Sequence, residues 1–503
     1  MSDARQESAA PVAGSRTEPG AVTVARSRAE PEAVPMAGSR AEPGAVPIAE
    51  PAAEPETEPV TGPVAESAAE PATEPATEAA GVAQPPAIPP AEPVVLVIGG
   101  RPKIVQKARA LGLRVVYLQY PGSYGEAHRP YVDQALLLDY SDVERLLPLV
   151  SALHRAYPFQ KVVSLFELGL LPAARISQAL GLGGTTPETV ELLLDKWQMR
   201  QRLEAAGVSP VAAAIGRTED DLCAFIQRHG VPVVVKPTRE AGSICVLAVR
   251  TEAEVPAVLA RYRELGALLD PRDLAGLLEE FLMEEYLDGP EISVETLSFD
   301  GRHVVVAVTD KVIGAGPAGF VELGHSMPSR HPGPDLARAE QLVFALLDAV
   351  GLRDGPAHTE LKLTPRGPVV IESHNRIGGD RINELAELVY GIDMDSYALG
   401  APFGLVPPLT EPPAPAGGAA IRFLTPTPGR VIEVSGTEAV SEDPALVELE
   451  IAVASGALVP ELTWSEDRVG HVIARGADAE EAIANCERLA AAVTIRTEPV
   501  GRR

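Results

Sequence analysis

A proline-rich repeat at the start of this 503-residue chain limits how much of it can fold. Over residues 1–92, prolines recur at intervals no longer than twelve residues, and alanine and glutamate fill many of the remaining positions. Three twelve-residue repeats begin at positions 12, 24 and 36, before the pattern decays into shorter steps. Proline interrupts helices, and such a composition has too little apolar surface to form a core. The pattern predicts a disordered acidic Pro/Ala/Glu-rich tail over residues 1–92.

The charge and cysteine content exclude several classes of protein. A net charge of −27 argues against nucleic acid or an anionic membrane as a partner, because both require basic surface. Three widely spaced cysteines (Cys223, Cys245 and Cys486) give neither a disulfide framework nor a zinc-binding pattern. Neither an apolar run of 18 residues nor the apolar core of a signal peptide is present. We expect a cytoplasmic protein with small-molecule partners, and a homodimer is compatible with the sequence.

Ordered structure is predicted to begin at Val94. The apolar run "VVLVIGG" ends in Gly99-Gly100 and is followed by a helical stretch and a second strand. Residues Val162 to Phe166 are predicted to form another strand, again followed by a helix. Strands that alternate with helices are typical of a parallel sheet. The glycine pair lacks the complete GxGxxG pattern, which favours a tight turn over a phosphate site.

The stretch "HTELKLTPRGPVVIES" predicts a β-hairpin. Apolar residues alternate on both sides of the turn residues Pro365-Arg366-Gly367. A hairpin centred on this turn would place Leu361 against Ile371 on one face. On the other face Glu360 would lie directly opposite Glu372, and like charges in that position repel. A cation between them would resolve the repulsion, and Mg²⁺ binds carboxylate oxygens. The alternative is two solvated carboxylates on an exposed hairpin.

Two lysines stand in positions that suit phosphate binding. A predicted helix runs through Asp195 and Lys196, and Lys236 ends an apolar strand. The strand leads into a loop of small residues that contains Gly242 and Ser243. Phosphates accept hydrogen bonds from ammonium groups and from the backbone N–H groups of such loops. Taken singly, either lysine is more often a surface residue.

The order of these motifs resembles the ATP-grasp superfamily. The elements are DK, strand-Lys-Pro, the glycine loop, "EEYLDG" with Glu two residues later, "TELKL" and "IES" followed by Arg and Gly-Gly. "FVELGHSMPS" and "HTELKL" are similar to the L-amino-acid (dipeptide) ligase branch. The resemblance implies an α/β and α+β architecture: a Rossmann-like domain at 93–190, an ATP-grasp domain of two subdomains at 191–402 and a small α+β domain at 415–497.

The resemblance also implies which residues bind ATP and Mg²⁺ (or Mn²⁺). The implied contacts are those of Lys196 and Lys236 with the phosphates, Gly242 and Ser243 in the loop over them, Glu284 with the adenine amino group, Leu287 with the ring through its backbone, Glu291 with the ribose hydroxyls, and Glu360 and Glu372 with the metal.

The implied substrate side involves three further residues. Glu322 and His325 match positions that face the amino-acid pocket of the dipeptide ligases, as holders of an ammonium or a carboxylate or in proton transfer. Arg376 is suited to bind an anion at the reaction centre. The alternative is that Arg376 only forms an ion pair with a nearby carboxylate such as Asp380. Many relatives have Asn as a third metal ligand where this chain has His374. Imidazole suits Mg²⁺ poorly, which leaves Asn375, water or the two carboxylates alone.

The leading hypothesis is an ATP-dependent carboxylate–amine ligase that forms an amide or peptide bond through an acyl phosphate. Its substrates would be a small-molecule carboxylate and an amine, both expected to be amino acids. One alternative is a carboxylase of the biotin-carboxylase type, which shares the ATP site but uses bicarbonate. Another is a nucleotide-binding regulatory module without turnover.

Overall fold

The computed structural model describes residues 22–25, 92–240, 242–268, 279–314 and 320–500. The predicted tail at 1–92 therefore lies outside the described residues, apart from residue 92 and a short strand, β1 (Val22–Ala25). The backbone of β1 pairs antiparallel with residues 448–451.

The segment that begins at Val94 contains a parallel sheet, as predicted. The sheet order is β4-β3-β2-β5, and all three strand pairs are parallel. The last strand is shorter than the predicted Val162–Phe166, because Ser164 bonds back to the backbone and α3 begins at Glu167. The elements are β2 (Val94–Ile98), α1 (Pro102–Ala110), β3 (Arg114–Gln119), β4 (Gln134–Leu137), α2 (Val143–Ala156), β5 (Lys161–Val163) and α3 (Glu167–Leu180).

The next segment contains a four-stranded antiparallel sheet of order β6-β9-β7-β8. The helix predicted through Asp195 and Lys196 is two helices. The side chain of Asp195 accepts a hydrogen bond from the backbone of Gln198 and so caps the second one. The elements are α4 (Pro187–Leu194), α5 (Lys196–Ala206), β6 (Ala213–Gly216), α6 (Glu219–His229), β7 (Val233–Lys236), β8 (Leu247–Val249), α7 (Val255–Gly266) and β9 (Phe281–Glu285).

Most of the remaining strands, together with β1, form a nine-stranded sheet of order β1-β17-β19-β15-β12-β11-β10-β13-β14. Helix α8 packs on β10, β13 and β14 through apolar contacts that include Val343, Ile292 and Val370. The elements are β10 (Glu291–Phe299), β11 (Arg302–Ile313), β12 (Glu322–Met327), α8 (Gly333–Val350), β13 (Gly355–Thr364), β14 (Gly367–His374), α9 (Ile382–Tyr390), α10 (Met394–Gly400), β15 (Gly418–Phe423), β16 (Gly429–Ser435), α11 (Thr437–Ser441), β17 (Leu446–Ile451), β18 (Leu458–Val459), β19 (Gly470–Gly476), α12 (Ala479–Ala492) and β20 (Thr494–Glu498). Strands β16, β18 and β20 form a separate small sheet.

The predicted hairpin is β13–β14, and its register differs from the prediction in the outer half. Leu361 pairs with Val370 rather than Ile371, whereas Glu360 does lie opposite Glu372. The turn has two residues, which shifts the pairing near the turn by one residue from the predicted register. A bulge at Ile371 restores the predicted register at Glu372. Because side chains alternate between faces, the bulge decides which face Glu372 joins.

In the described part of the chain, every helix is too short or too polar to span a lipid bilayer.

Candidate functional site

The facing carboxylates of Glu360 and Glu372 are each paired with a lysine. Lys196 Nζ lies 3.0 Å from Glu372 Oε2, and the Lys311 ammonium contacts Glu360 directly. Burial would raise the pKa of Glu372, but Lys196 and His374 hold that pKa well below its usual value. The predicted repulsion is therefore offset within the protein by cations.

Lys311, on β11, was missed in the sequence. Its buried ammonium contacts Glu360 and lies 3.3 Å from Glu322 and 3.4 Å from Glu291. Burial opposes its charge, but these three carboxylates raise the pKa of Lys311 well above its usual value. The feature that could have identified Lys311 is a lysine among the buried residues of a strand, because a buried lysine requires a buried partner.

Glu284 lies in a buried cluster with Lys236 and Arg200. The Glu284 carboxylate is 2.7 Å from Lys236 Nζ and 2.6 Å from Arg200 Nε. Burial would raise the pKa of Glu284, but the two cations lower it to about 2. Arg200 also donates to the carbonyls of Val370 and Ile371, at the hairpin bulge. Arg200 thus connects α5, β9 and β14, and no sequence motif had indicated it.

The predicted phosphate loop contacts the C-terminal part of the chain. Gly242 and Ser243 both have positive φ angles, of 70° and 61°. Ser243 Oγ donates to the carbonyl of Phe320 at 2.7 Å, and the carbonyl of Gly242 accepts from the backbone N–H of Ser465 at 3.3 Å. Ser465 Oγ in turn donates to Glu322 Oε2 at 3.0 Å. The loop is therefore joined to a predicted substrate residue.

His325 faces an ion pair between Asp380 and Arg468. The ring nitrogen Nε2 of His325 lies 3.4 Å from Asp380 Oδ2. Arg468 donates to both oxygens of Asp380, at 2.6 and 2.7 Å, and its guanidinium lies 3.7 Å from the centre of the Phe423 ring. Arg468 also donates to the carbonyl of Glu322 at 3.2 Å. Arg468 was missed because its role depends on the C-terminal strands joining the central sheet.

Arg376 does pair with a carboxylate, but its partner is Glu167 and not Asp380, which was the wrong residue for this pair. The Arg376 guanidinium contacts Glu167, the first residue of α3, and donates to the carbonyl of Ile377 at 3.0 Å. Burial opposes the charge of Arg376, whereas Glu167 raises its pKa. Glu167 connects the parallel-sheet segment to the end of β14.

The donor set fits a hard divalent cation. Glu360 and Glu372 offer carboxylate oxygens, and Asn375 Oδ1 is buried without a hydrogen-bond partner among the described residues. Both ring nitrogens of His374 instead face carboxylates, of Glu372 at 3.1 Å and Glu167 at 3.0 Å. Oxygen ligands are those that Mg²⁺ prefers.

The remaining predicted residue, Leu287, lies in the connection between β9 and β10.

Three family descriptions match successive parts of the chain. Residues 105–184 match an ATP-grasp N-terminal domain, residues 229–384 an ATP-grasp domain, and residues 422–498 an L-amino acid ligase C-terminal domain 2.

Individual relatives agree with these matches. The chain is 31% identical over 246 residues to an alanine–anticapsin ligase of Bacillus subtilis, covering 46% of this chain and about half (52%) of that protein. It is 23% identical over 341 residues to an L-arginine-specific L-amino acid ligase of Bacillus subtilis, covering 67% of this chain and 80% of that protein. The crystal structure of an L-amino acid ligase from Bacillus licheniformis superposes with a TM-score of 0.68 at 24% identity, covering 81% of this chain and 99% of that one, and so shares its fold. The chain therefore has the ATP-grasp fold and carries matches to ATP-grasp domains, a class of enzyme that uses ATP and divalent metals, and it resembles the L-amino-acid ligases.

Proposed function

We propose that this chain is an ATP-dependent carboxylate–amine ligase that joins two amino acids through an acyl phosphate. The observation that carries the proposal is the facing pair of Glu360 and Glu372, with a lysine on each carboxylate and Arg376 close by. Phosphoryl transfer needs cations around the transferred group more than it needs covalent chemistry from the protein.

The nucleotide is proposed to bind across the cluster of lysines. Lys196 and Lys236 pair with carboxylates in this structure. When nucleotide binds, phosphate oxygens would replace part of these contacts at both ammonium groups. Gly242 and Ser243 are proposed to form the loop over the phosphates, and their positive φ angles place them in a turn whose backbone N–H groups are candidate donors to phosphate oxygens. Glu284, Leu287 and Glu291 are the proposed contacts of adenine and ribose, with Glu284 also holding Lys236.

Glu360 and Glu372 are proposed to hold Mg²⁺ (or Mn²⁺), with Asn375 as the candidate for a third oxygen ligand. When bound, the metal neutralises charge on the phosphates.

The reaction proceeds in two displacements. A carboxylate oxygen of the first amino acid attacks the γ-phosphorus, and ADP leaves with the electron pair of the broken P–O bond. The amine of the second amino acid then attacks the acyl carbon, and inorganic phosphate leaves with the former carboxylate oxygen. Arg376 offers a forked donor to the charge that develops on the acyl oxygen. Glu322 is proposed to hold the substrate ammonium and His325 to accept its proton.

Amino acids are the proposed substrates because of the named relatives. One relative is described as joining alanine to anticapsin and another as an L-arginine-specific ligase of L-amino acids. Phe166 and Leu168, the sequence neighbours of Glu167, have exposed apolar side chains, and an apolar substrate side chain is proposed next to Arg376.

The test is phosphate release from MgATP with single amino acids and with amino-acid pairs, in parallel with bicarbonate and with no acceptor. The proposal expects release that depends on amino acids, together with a new peptide detected by mass spectrometry. Release with bicarbonate alone would indicate a carboxylase, and nucleotide binding without release under any condition would indicate a regulatory module.

A further inference from the structure

The two facing glutamates are contacted by two histidines in matching positions. His358 precedes Glu360 by two residues on β13, and His374 follows Glu372 by two residues on β14. The two histidines are themselves register partners across the hairpin. In each case Nε2 of the ring lies 3.1 Å from a carboxylate oxygen of the glutamate two positions away.

A second carboxylate fixes the far side of each ring. Nδ1 of His358 lies 2.7 Å from Glu295 Oε1, and Nδ1 of His374 lies 3.0 Å from Glu167 Oε1. Both rings are buried, and each ring nitrogen faces a carboxylate. We call these sets the Glu295 bridge (Glu295–His358–Glu360) and the Glu167 bridge (Glu167–His374–Glu372).

We infer that the two bridges orient Glu360 and Glu372 to receive a divalent cation, and that His358 and His374 act as positioning residues without contacting the metal. The inference depends on the proposed function only in taking these two glutamates as the metal-binding carboxylates.

The other partners of the glutamates cannot supply this orientation once nucleotide binds. Phosphates compete with Glu372 for Lys196, and an ammonium group such as that of Lys196 or Lys311 is a point charge that does not fix the direction of a carboxylate. An imidazole held on its far side by a second carboxylate has one ring orientation, and partners of this kind tune metal sites. The histidine contacts can therefore persist while the contact between Lys196 and Glu372 is exchanged.

Stability alone does not explain the Glu295 bridge. Glu295 is completely buried on β10, and Ser293 Oγ donates to the same oxygen that faces His358. Replacing a buried ion pair by apolar residues of similar volume is often neutral or stabilising. A buried carboxylate in this position is explained if it fixes a group that the site uses.

The test uses two substitutions at His358 that separate its ring nitrogens. The amide nitrogen of Gln reaches the position of Nε2, whereas that of Asn reaches only the position of Nδ1. We measure Mn²⁺ affinity by electron paramagnetic resonance in the presence of a non-hydrolysable ATP analogue. His358→Asn is expected to weaken Mn²⁺ binding about 10–100-fold, the usual effect of losing such a partner. His358→Gln keeps a donor to Glu360 and should weaken it at most about threefold.

Melting temperature distinguishes positioning from a purely structural role. His358→Asn keeps a donor to the buried Glu295 and should be the more stable variant, while His358→Gln leaves Glu295 with Ser293 but without the ring nitrogen and should be the less stable one. The variant with the weaker Mn²⁺ binding, His358→Asn, is thus expected to have the higher melting temperature of the two. Equal losses of Mn²⁺ affinity in both variants, or losses that follow melting temperature, would overturn the inference.

His303 provides a matched control. It lies on β11 with a buried side chain that bonds to Ser298 Oγ at 2.7 Å and to Asp348 at 3.3 Å, outside both bridges. His303→Asn should leave Mn²⁺ affinity unchanged, and a loss equal to that of His358→Asn would count against the inference. These measurements need no turnover, so a protein with the expected contrast but no ligase activity would refute the proposed function alone.

Discussion

Replacing Glu284 by Gln should destabilise the protein strongly, because Glu284 is the shared partner of two buried cations. The side chains of Arg200, Lys236 and Glu284 are each at most 5% exposed. The lowering of the pKa of Glu284 from 4.5 to about 2 corresponds to about 3 kcal/mol. Removing one member of a buried ion pair typically costs about 3–5 kcal/mol. Glu284→Gln is therefore expected to lose about 3 kcal/mol near pH 7.

The neighbouring Glu285 is the matched control. Its carboxylate pairs with the half-exposed Arg366 at 2.8 Å on the surface. Exposed pairs contribute about 0–1 kcal/mol, so Glu285→Gln should cost less than about 1 kcal/mol. Thermal and urea unfolding of the parent and both variants on one preparation provide the comparison. Equal losses for Glu284→Gln and Glu285→Gln would refute the assignment of the cluster as a buried, strongly coupled site.

The stability difference between the parent and Glu284→Gln should also depend on pH. Because the folded pKa of Glu284 lies below its unfolded value, the contribution is present above pH 4.5 and is lost as pH falls towards 2. At pH 3 about half of the difference between the parent and Glu284→Gln should remain. A difference that stays constant from pH 7 to pH 3 would show that the carboxylate charge is not its source.

Glu372→Gln should abolish turnover and also lower the melting temperature, since it leaves Lys196 and His374 without their shared carboxylate; a melting temperature at or above that of the parent would instead support simple repulsion between the paired glutamates. Arg376→Lys should retain nucleotide binding but lose about 10²–10³-fold in kcat, as for removal of a donor to a developing oxyanion; a variant with parental kcat per folded molecule would limit Arg376 to its pair with Glu167.

Local patterns predicted the parts of the site that depend on one or two neighbouring elements. Alternation and turn residues placed Glu360 opposite Glu372, and the apolar run placed Lys236 at the end of its strand. The bulge at Ile371 was not predicted, because a single extra residue leaves the alternation on either side of it unchanged. The cap at Asp195 could have been predicted, because Asp is a strong N-cap residue immediately before a helical stretch.

The residues that were missed reach the site from distant parts of the chain. Glu167 comes from the parallel-sheet segment, Lys311 from β11, which β10 separates from β13, and Arg468 from the C-terminal segment. Each is a charged residue with an ordinary local context, and only the long-range pairing of the nine-stranded sheet and the contacts of α3 bring it to the predicted site residues. The role of such residues depends on tertiary contacts that single-sequence periodicity does not contain.

The acyl phosphate is tested most directly by following a carboxylate oxygen. The protein is incubated with MgATP and amino acids labelled with ¹⁸O in the carboxylate, and the released phosphate and the peptide are analysed by mass spectrometry. An acyl-phosphate route puts one ¹⁸O atom into the phosphate released with each peptide, because the attacking carboxylate oxygen leaves with phosphorus. Peptide formation with unlabelled phosphate, or release of phosphate without any peptide, would contradict it.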